Sequence, residues 1–196
     1  MKLFLTALFF IAFSFTAIAQ EDYKKEIQLE FEAYMNSFAE GNFDKALSYI
    51  IDDFFELFPK QMMTEMLEAS FNSDFAKMEI KDHQIMELRD SVKIDSAIYV
   101  RMRYSTSFSM QILQQEGESD EDHKTMMEFM KTTFAETYGE EKVNYLEEED
   151  IFLVKEEKDM YAIKKSGYTN WKFLAVEKEQ MAILGQLLPK QLIDQH

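Results

Sequence analysis

Few residues in this chain are arranged for chemistry. Three histidines, His83, His123 and His196, make no H-x-x-x-H pair or similar spacing, so a transition-metal site is not expected. Glu116, Glu118, Asp120, Glu121 and Asp122 form an acidic run that could attract calcium. It lacks the D-x-D-x-D-G order of a calcium loop and reads as a solvated connection. Arg101 and Arg103 stand two apart and share one face of any strand, where they could grip an anionic ligand bidentately. With 37 acidic residues in the chain, ion pairs within the fold are the plainer use of them. No G-x-S-x-G, P-loop or G-x-G-x-x-G occurs, and five glycines leave little material for a phosphate cradle. The lack of cysteine excludes thiolate chemistry and disulfides alike. No catalytic motif, metal site or cofactor is therefore expected.

The element that must position any site is residues 98–112. Its even positions read Ile98, Val100, Met102, Tyr104, Thr106, Phe108, Met110, Ile112, and its odd positions read Tyr99, Arg101, Arg103, Ser105, Ser107, Ser109, Gln111. Seven of eight even residues are apolar and six of seven odd ones are polar. Alternation of that kind predicts one long strand with a core face and a wet face. At 3.3 Å per residue it would span roughly 50 Å, so it must bend or bulge within a small domain.

Before it, the stripe Ile27, Phe31, Tyr34, Met35, Phe38 predicts a helix over 22–39, ended by Gly41. Asn42 is placed to cap a short helix to about Ile50. Phe54, Phe55, Leu57 and Phe58 read as an apolar connection. Pro59 opens a third helix to about Ala69, carrying Met62, Met63 and Met66. Residues 78–88 read as a strand with a polar middle, which implies either a bulge near Asp82–Gln84 or polar groups on the concave face.

After the long strand, 122–138 is an inserted helix with Met126, Met127 and Met130, stopped by Gly139. The chain holds 14 methionines, a residue that fills cores and lines adaptable surfaces, and at least one of the two helical clusters is expected in the core. Short strands are expected at 143–146, 150–154, 160–164 and 171–176. The charged run Lys155-Glu156-Glu157-Lys158-Asp159 is read as a hairpin turn between two of them. A last helix over 177–188 is ended or kinked by Pro189.

The first residues carry an address. Lys2 precedes an apolar run from 3 to 15, and Ala17-Ile18-Ala19 fits the small-x-small cleavage rule. Residues 1–19 are expected to be a signal peptide and 20–196 a single domain, exported to a periplasm or the cell exterior. The apolar run is short for a bilayer span of ~20 residues, which disfavours an anchor. Cleavage would remove Lys2 and take the formal net charge from −16 to −17. So acidic a chain repels phosphate backbones and anionic membranes, so neither nucleic acid nor membrane is an expected partner.

The run Ala39-Glu40-Gly41-Asn42-Phe43-Asp44-Lys45-Ala46, the long strand, and the closing segments Met160-Tyr161-Ala162-Ile163 and Trp171-Lys172-Phe173-Leu174 resemble the NTF2-like superfamily. SnoaL-like proteins and ketosteroid isomerase share that cone fold. The resemblance implies an α+β roll, with N-terminal helices packed on a strongly curved, mainly antiparallel sheet. The inserted helix and the C-terminal helix depart from it. It also implies a pocket between helices and concave sheet, with Tyr34, Phe38, Asp82, Tyr104 and Trp171 as lining. A carboxylate and a tyrosine face each other in isomerase-like members, and Asp82 and Tyr34 could meet in that way.

The function expected is an exported binding domain for a small hydrophobic molecule or a peptide. An isomerase or dehydratase with Asp82 as base is the alternative. A third reading is an interaction module forming a homodimer through the sheet or the C-terminal helix.

Overall fold

The computed structural model describes residues 22–177 and 180–193. The expected signal peptide and His196 lie outside the described residues. Helices come first, then a curled, unclosed antiparallel sheet of six strands, then a C-terminal helical segment, so the fold is α+β.

Helix α1 covers 22–39. Its stripe of Ile27, Phe31, Tyr34 and Met35 is buried. Gly41 ends it at φ +69°, a left-handed conformation that glycine adopts without penalty. Asn42 Oδ1 accepts from the Lys45 N–H at 3.2 Å and so caps α2, Phe43–Leu47. That helix stops short of Ile50 because Ile50 bridges Phe173, and the Phe173 N–H donates to the Tyr49 carbonyl at 2.6 Å. The expected connection at Phe54 forms a single turn, α3, Phe54–Leu57. Helix α4, Lys60–Phe71, runs two residues past Ala69 and has no fully buried side chain.

The sheet order is β1-β3-β5-β4, with β2 beside β3 and β6 beside β5. The strands are β1 Ala76–Leu88, β2 Val92–Ile94, β3 Ala97–Ile112, β4 Val143–Leu146, β5 Ile151–Lys164 and β6 Lys172–Val176. Strand β3 lies at the centre and pairs with β1, β2 and β5.

Two irregularities resolve the polar middle of β1. The register slips between Ile80 and Asp82, and again between Ile85 and Glu87. Each leaves one extra residue, Lys81 and then Met86, and shifts the alternation by one. Ile80 pairs with Phe108, His83 with Thr106, Ile85 with Tyr104 and Leu88 with Met102, all on the even face of β3. Asp82, Gln84 and Glu87 pair with odd residues.

The charged run 155–159 is not a turn. It is the middle of one continuous strand, β5, and faces Arg103–Ser107 of β3. Its charges are met by neighbours. Asp159 accepts from Arg101 at 2.8 Å and from Arg103 at 3.2 Å. Lys158 pairs with Glu177 at 3.0 Å and with Glu156 at 3.5 Å. Those pairings offset the cost of holding charge in a sheet. The two arginines expected on the wet face of β3 are therefore occupied inside the chain.

Three apolar clusters clothe the sheet. On the even face of one half, α1 packs against Val100, Met102, Tyr104, Met160 and Phe173. On that same face of the other half, α5, Asp120–Tyr138, sets Met127 and Phe134 against Ile112, Phe152 and Val154. The odd face of the first half was expected to be wet and is covered around Tyr99, while Arg103 stays exposed. Helices α6, Met181–Leu187, and α7, Lys190–Ile193, flank Pro189 and bring Leu184, Leu187 and Leu192 onto Tyr99, Tyr161 and Ile163. The C-terminal segment is thus used within the chain. Of the two methionine clusters, the one on α5 reaches the core through Met127, whereas Met62 and Met66 of α4 are 42% and 57% exposed.

Candidate functional site

Four of the five lining residues expected from sequence gather on one side of the sheet. Phe31 of α1 sits edge-on to Tyr104 of β3, with ring centroids 5.1 Å apart. Tyr34 meets Phe38 edge-on at 5.2 Å and stacks on Phe173 of β6 at 5.3 Å. Trp171 lies further along this wall beside Tyr23 at 6.2 Å, and its indole N–H donates to Glu26 at 3.1 Å. Aromatic edges and faces at these distances fill the space between α1 and the sheet. Beside it lie a cavity of about 130 Å³ at Tyr34 and Phe173, bordered by Ile183, Leu184 and Leu187 of the C-terminal segment, and an opening of about 250 Å³ between Gln28, Phe31 and Glu32 of α1 and His83, Gln84 and Ile85 of β1.

Asp82 is not part of that wall. The slip at Lys81 turns it to the odd face, where Ser107 Oγ donates to its carboxylate at 3.3 Å. Its neighbour His83 takes the inward place and meets the Phe31 ring edge-on at 6.1 Å. The Asp82–Tyr34 pairing does not form, and the acid–phenol pair that proton transfer would need is not assembled.

A polar centre that sequence reasoning passed over lies at the inner end of the aromatic wall. Lys158 stands opposite Tyr104 across the β3–β5 ladder and reaches Glu177 and Glu156. Burial works against its charge, but the Glu177 hydrogen bond and the two carboxylates outweigh it and hold the ammonium above its ordinary range. Burial pushes the Tyr104 phenol up to about 12 and the Tyr34 phenol higher as well. Near neutral pH the Lys158 amine stays charged and the two phenols stay protonated. The signal for this centre was the unbroken parity of Phe152, Val154, Glu156, Lys158, Met160 and Ala162. A turn of five residues would have had no reason to keep it.

A wider opening lies elsewhere. A concavity of about 540 Å³ crosses β1, β3, β5 and β4. Leu153 supplies an apolar side chain, Ser107 and Asn144 supply polar atoms, Phe108, Val143 and Val154 border it with side chains turned to the α5 face, and Lys142 and Lys155 also line it. Asp82 is the one expected lining residue that reaches it.

No family model matches the chain, and no curated protein matches it in sequence.

A second buried polar group joins α5 to the β4–β5 hairpin. His123 lies between Glu118, 3.2 Å from Nδ1, and Asp150, 3.2 Å from Nε2. Tyr145 donates its hydroxyl to the other oxygen of Asp150 at 2.7 Å. Burial disfavours the charged ring, and the hydrogen bonds to Asp150 and Glu118 prevail, so the His123 pKa is raised. Among the described residues no group of histidines and carboxylates is arranged to hold a metal ion. The acidic run that could have drawn calcium is instead used locally: Ser119 caps α5 and Glu118 holds His123. Among the described residues no helix is long and apolar enough to cross a membrane.

Proposed function

We propose that this chain is an exported, NTF2-like binding domain that takes a small hydrophobic molecule in the concavity across β1, β3, β5 and β4. The observation that carries the reading is that hollow itself. It is within the 300–1,000 Å³ of ligand sites and pairs apolar surface at Leu153 with a few polar groups at its edge. Support for the NTF2-like assignment comes from α1 ending at Gly41 and Asn42, the long central strand, and the curled antiparallel sheet. Support for binding over catalysis comes from the separation of Asp82 from Tyr34.

The test is titration with the neutral apolar dye Nile red. Ser107→Trp, which fills the concavity, should weaken dye binding at least tenfold, and Phe38→Arg, on the opposite aromatic wall, should leave it within twofold. Loss in Phe38→Arg alone would move the site to the aromatic wall. Export is tested by intact mass of protein recovered from outside the cytoplasm, with Gln20 expected at the N-terminus. A mass that includes residues 1–19 would refute cleavage.

A further inference from the structure

The concavity has a charge problem that a ligand would solve. The chain holds 37 acidic and 21 basic residues, yet three lysines, Lys81, Lys142 and Lys155, border this one hollow. Lys81 is paired with Glu79. Lys142 and Lys155 form no ion pair among the described residues. Both ammonium groups are exposed and open to a ligand.

Val143 of β4 pairs with Val154 of β5, Lys142 precedes the first and Lys155 follows the second, and both line the same hollow. Two like charges lining one hollow repel each other. An anion between them would turn that repulsion into two charge-assisted contacts. The Asn144 side chain stands on the same rim and offers a neutral donor. The two carboxylates of the hollow are Asp82, engaged by Ser107 on the β1 side, and Glu141, next in the chain to Lys142. Between the ends lies Leu153, beside the backbone of Phe108 and Val154, whose side chains turn to α5 on the other face.

We infer that the ligand is an amphipathic monocarboxylate. Its head group sits between Lys142 and Lys155, and its hydrocarbon lies along Leu153 toward β1. This inference rests on the binding reading above and adds the class of ligand. A cationic or doubly charged molecule would meet Asp82 and Glu141 without matching the lysine pair.

The experiment compares decanoate, decanol and decyltrimethylammonium by isothermal titration at low and at moderate salt. Wild type should bind decanoate at least tenfold tighter than decanol, and the cation weakest, with the decanoate preference shrinking as salt rises. Lys142→Glu with Lys155→Glu should abolish that preference and leave decanol affinity within twofold. Both lysines are exposed, so unfolding is not expected, and circular dichroism of the variant checks it. Equal binding of all three probes to wild type would overturn the carboxylate assignment while leaving a hydrophobic site standing. Binding of none would remove the site itself. Retention of the decanoate preference in the double variant would place the head group away from the lysine pair and overturn the inference.

Discussion

Trp171 Nε1 donates to Glu26 Oε2 at 3.1 Å, a bond that ties the start of the last strand to the first helix. The indole is 3% exposed while Glu26 is exposed, so only one end of the bond is buried. Glu26→Ala strips the partner from a buried donor and should cost about 1–2 kcal/mol. Lys25→Ala, next to it and also exposed, should be neutral. Urea unfolding of the two variants compares them, and equal midpoints would show that the bond is not formed in solution.

The two faces of β3 should respond unequally to substitution, and unequally along their length. Val100 is fully buried, and Val100→Asp would place an unpaired charge there at roughly 3–5 kcal/mol. Arg101 looked tolerant as an odd residue, but its side chain is 16% exposed and holds Asp159. Arg101→Ala should therefore cost about 1–2 kcal/mol. Ser107→Ala, at the open end of the odd face, should change stability by under about 0.5 kcal/mol. Denaturant midpoints ranked in any other order would contradict the face assignment.

Two glycines should move stability in opposite directions. Gly41 sits at φ +69° with open space where a Cβ would go, so Gly41→Ala costs only the backbone strain, about 1 kcal/mol. Gly185 lies inside α6, and a Cβ there would meet Ile193 Cδ1 at 3.9 Å, an ordinary contact. Gly185→Ala should stabilise by about 0.5–1 kcal/mol through helix propensity and a less free unfolded chain. Melting temperatures shifting the same way would show one of these backbone readings to be mistaken.

The His123 cluster should make stability fall as the solution becomes alkaline. Unfolded, the ring titrates near 6.5, and in the fold its pKa is raised. Below pH 6.5 both states hold the proton, and the full contribution of the charged ring is present. It is lost as pH rises through the higher folded value. The groups facing the ring are Glu118, Asp150 and, through Asp150, Tyr145, whose phenol burial and the Asp150 bond push up. His123→Gln should be less stable than wild type at pH 6 and should lack the decline at higher pH. Parallel curves for the two proteins would remove this histidine from the account.

Much of this architecture could be read from residue order, and the failures have physical causes. The parity of Val100, Met102 and Tyr104 located the core face, and Gly41 with Asn42 located the first helix junction. Asp82 was misplaced because a slip at Lys81 reverses parity, and no local composition announces which residue will be the extra one. The run Lys155–Asp159 was misread because charge density looks like a turn until Arg101, Arg103 and Glu177 are brought beside it. Tyr99 was assigned to water because the helices that cover it come from the far end of the chain. The α4 methionines have the spacing of a core stripe, yet Met62 and Met66 face outward. The rim lysines were missed because only β4–β5 pairing brings Lys142 and Lys155 to one hollow.

The placement of β3 between β1 and β5 also bears on how the chain acquires its shape. β1 reaches β3 through a brief connection by way of β2. β5 must return across the whole of α5 and β4 before its first pair, Ile151 with Gln111, can close. Each later pair, out to Lys164 with Ile98, joins residues more distant in sequence. Loop-closure entropy makes Gln111–Ile151 the natural starting point, with the ladder zipping toward Ile98. Contacts this non-local slow folding, and until β5 arrives the apolar side of β3 stands uncovered. A chain expected to cross a membrane unfolded would pass through that open intermediate after translocation, when its high negative charge keeps neighbouring copies apart.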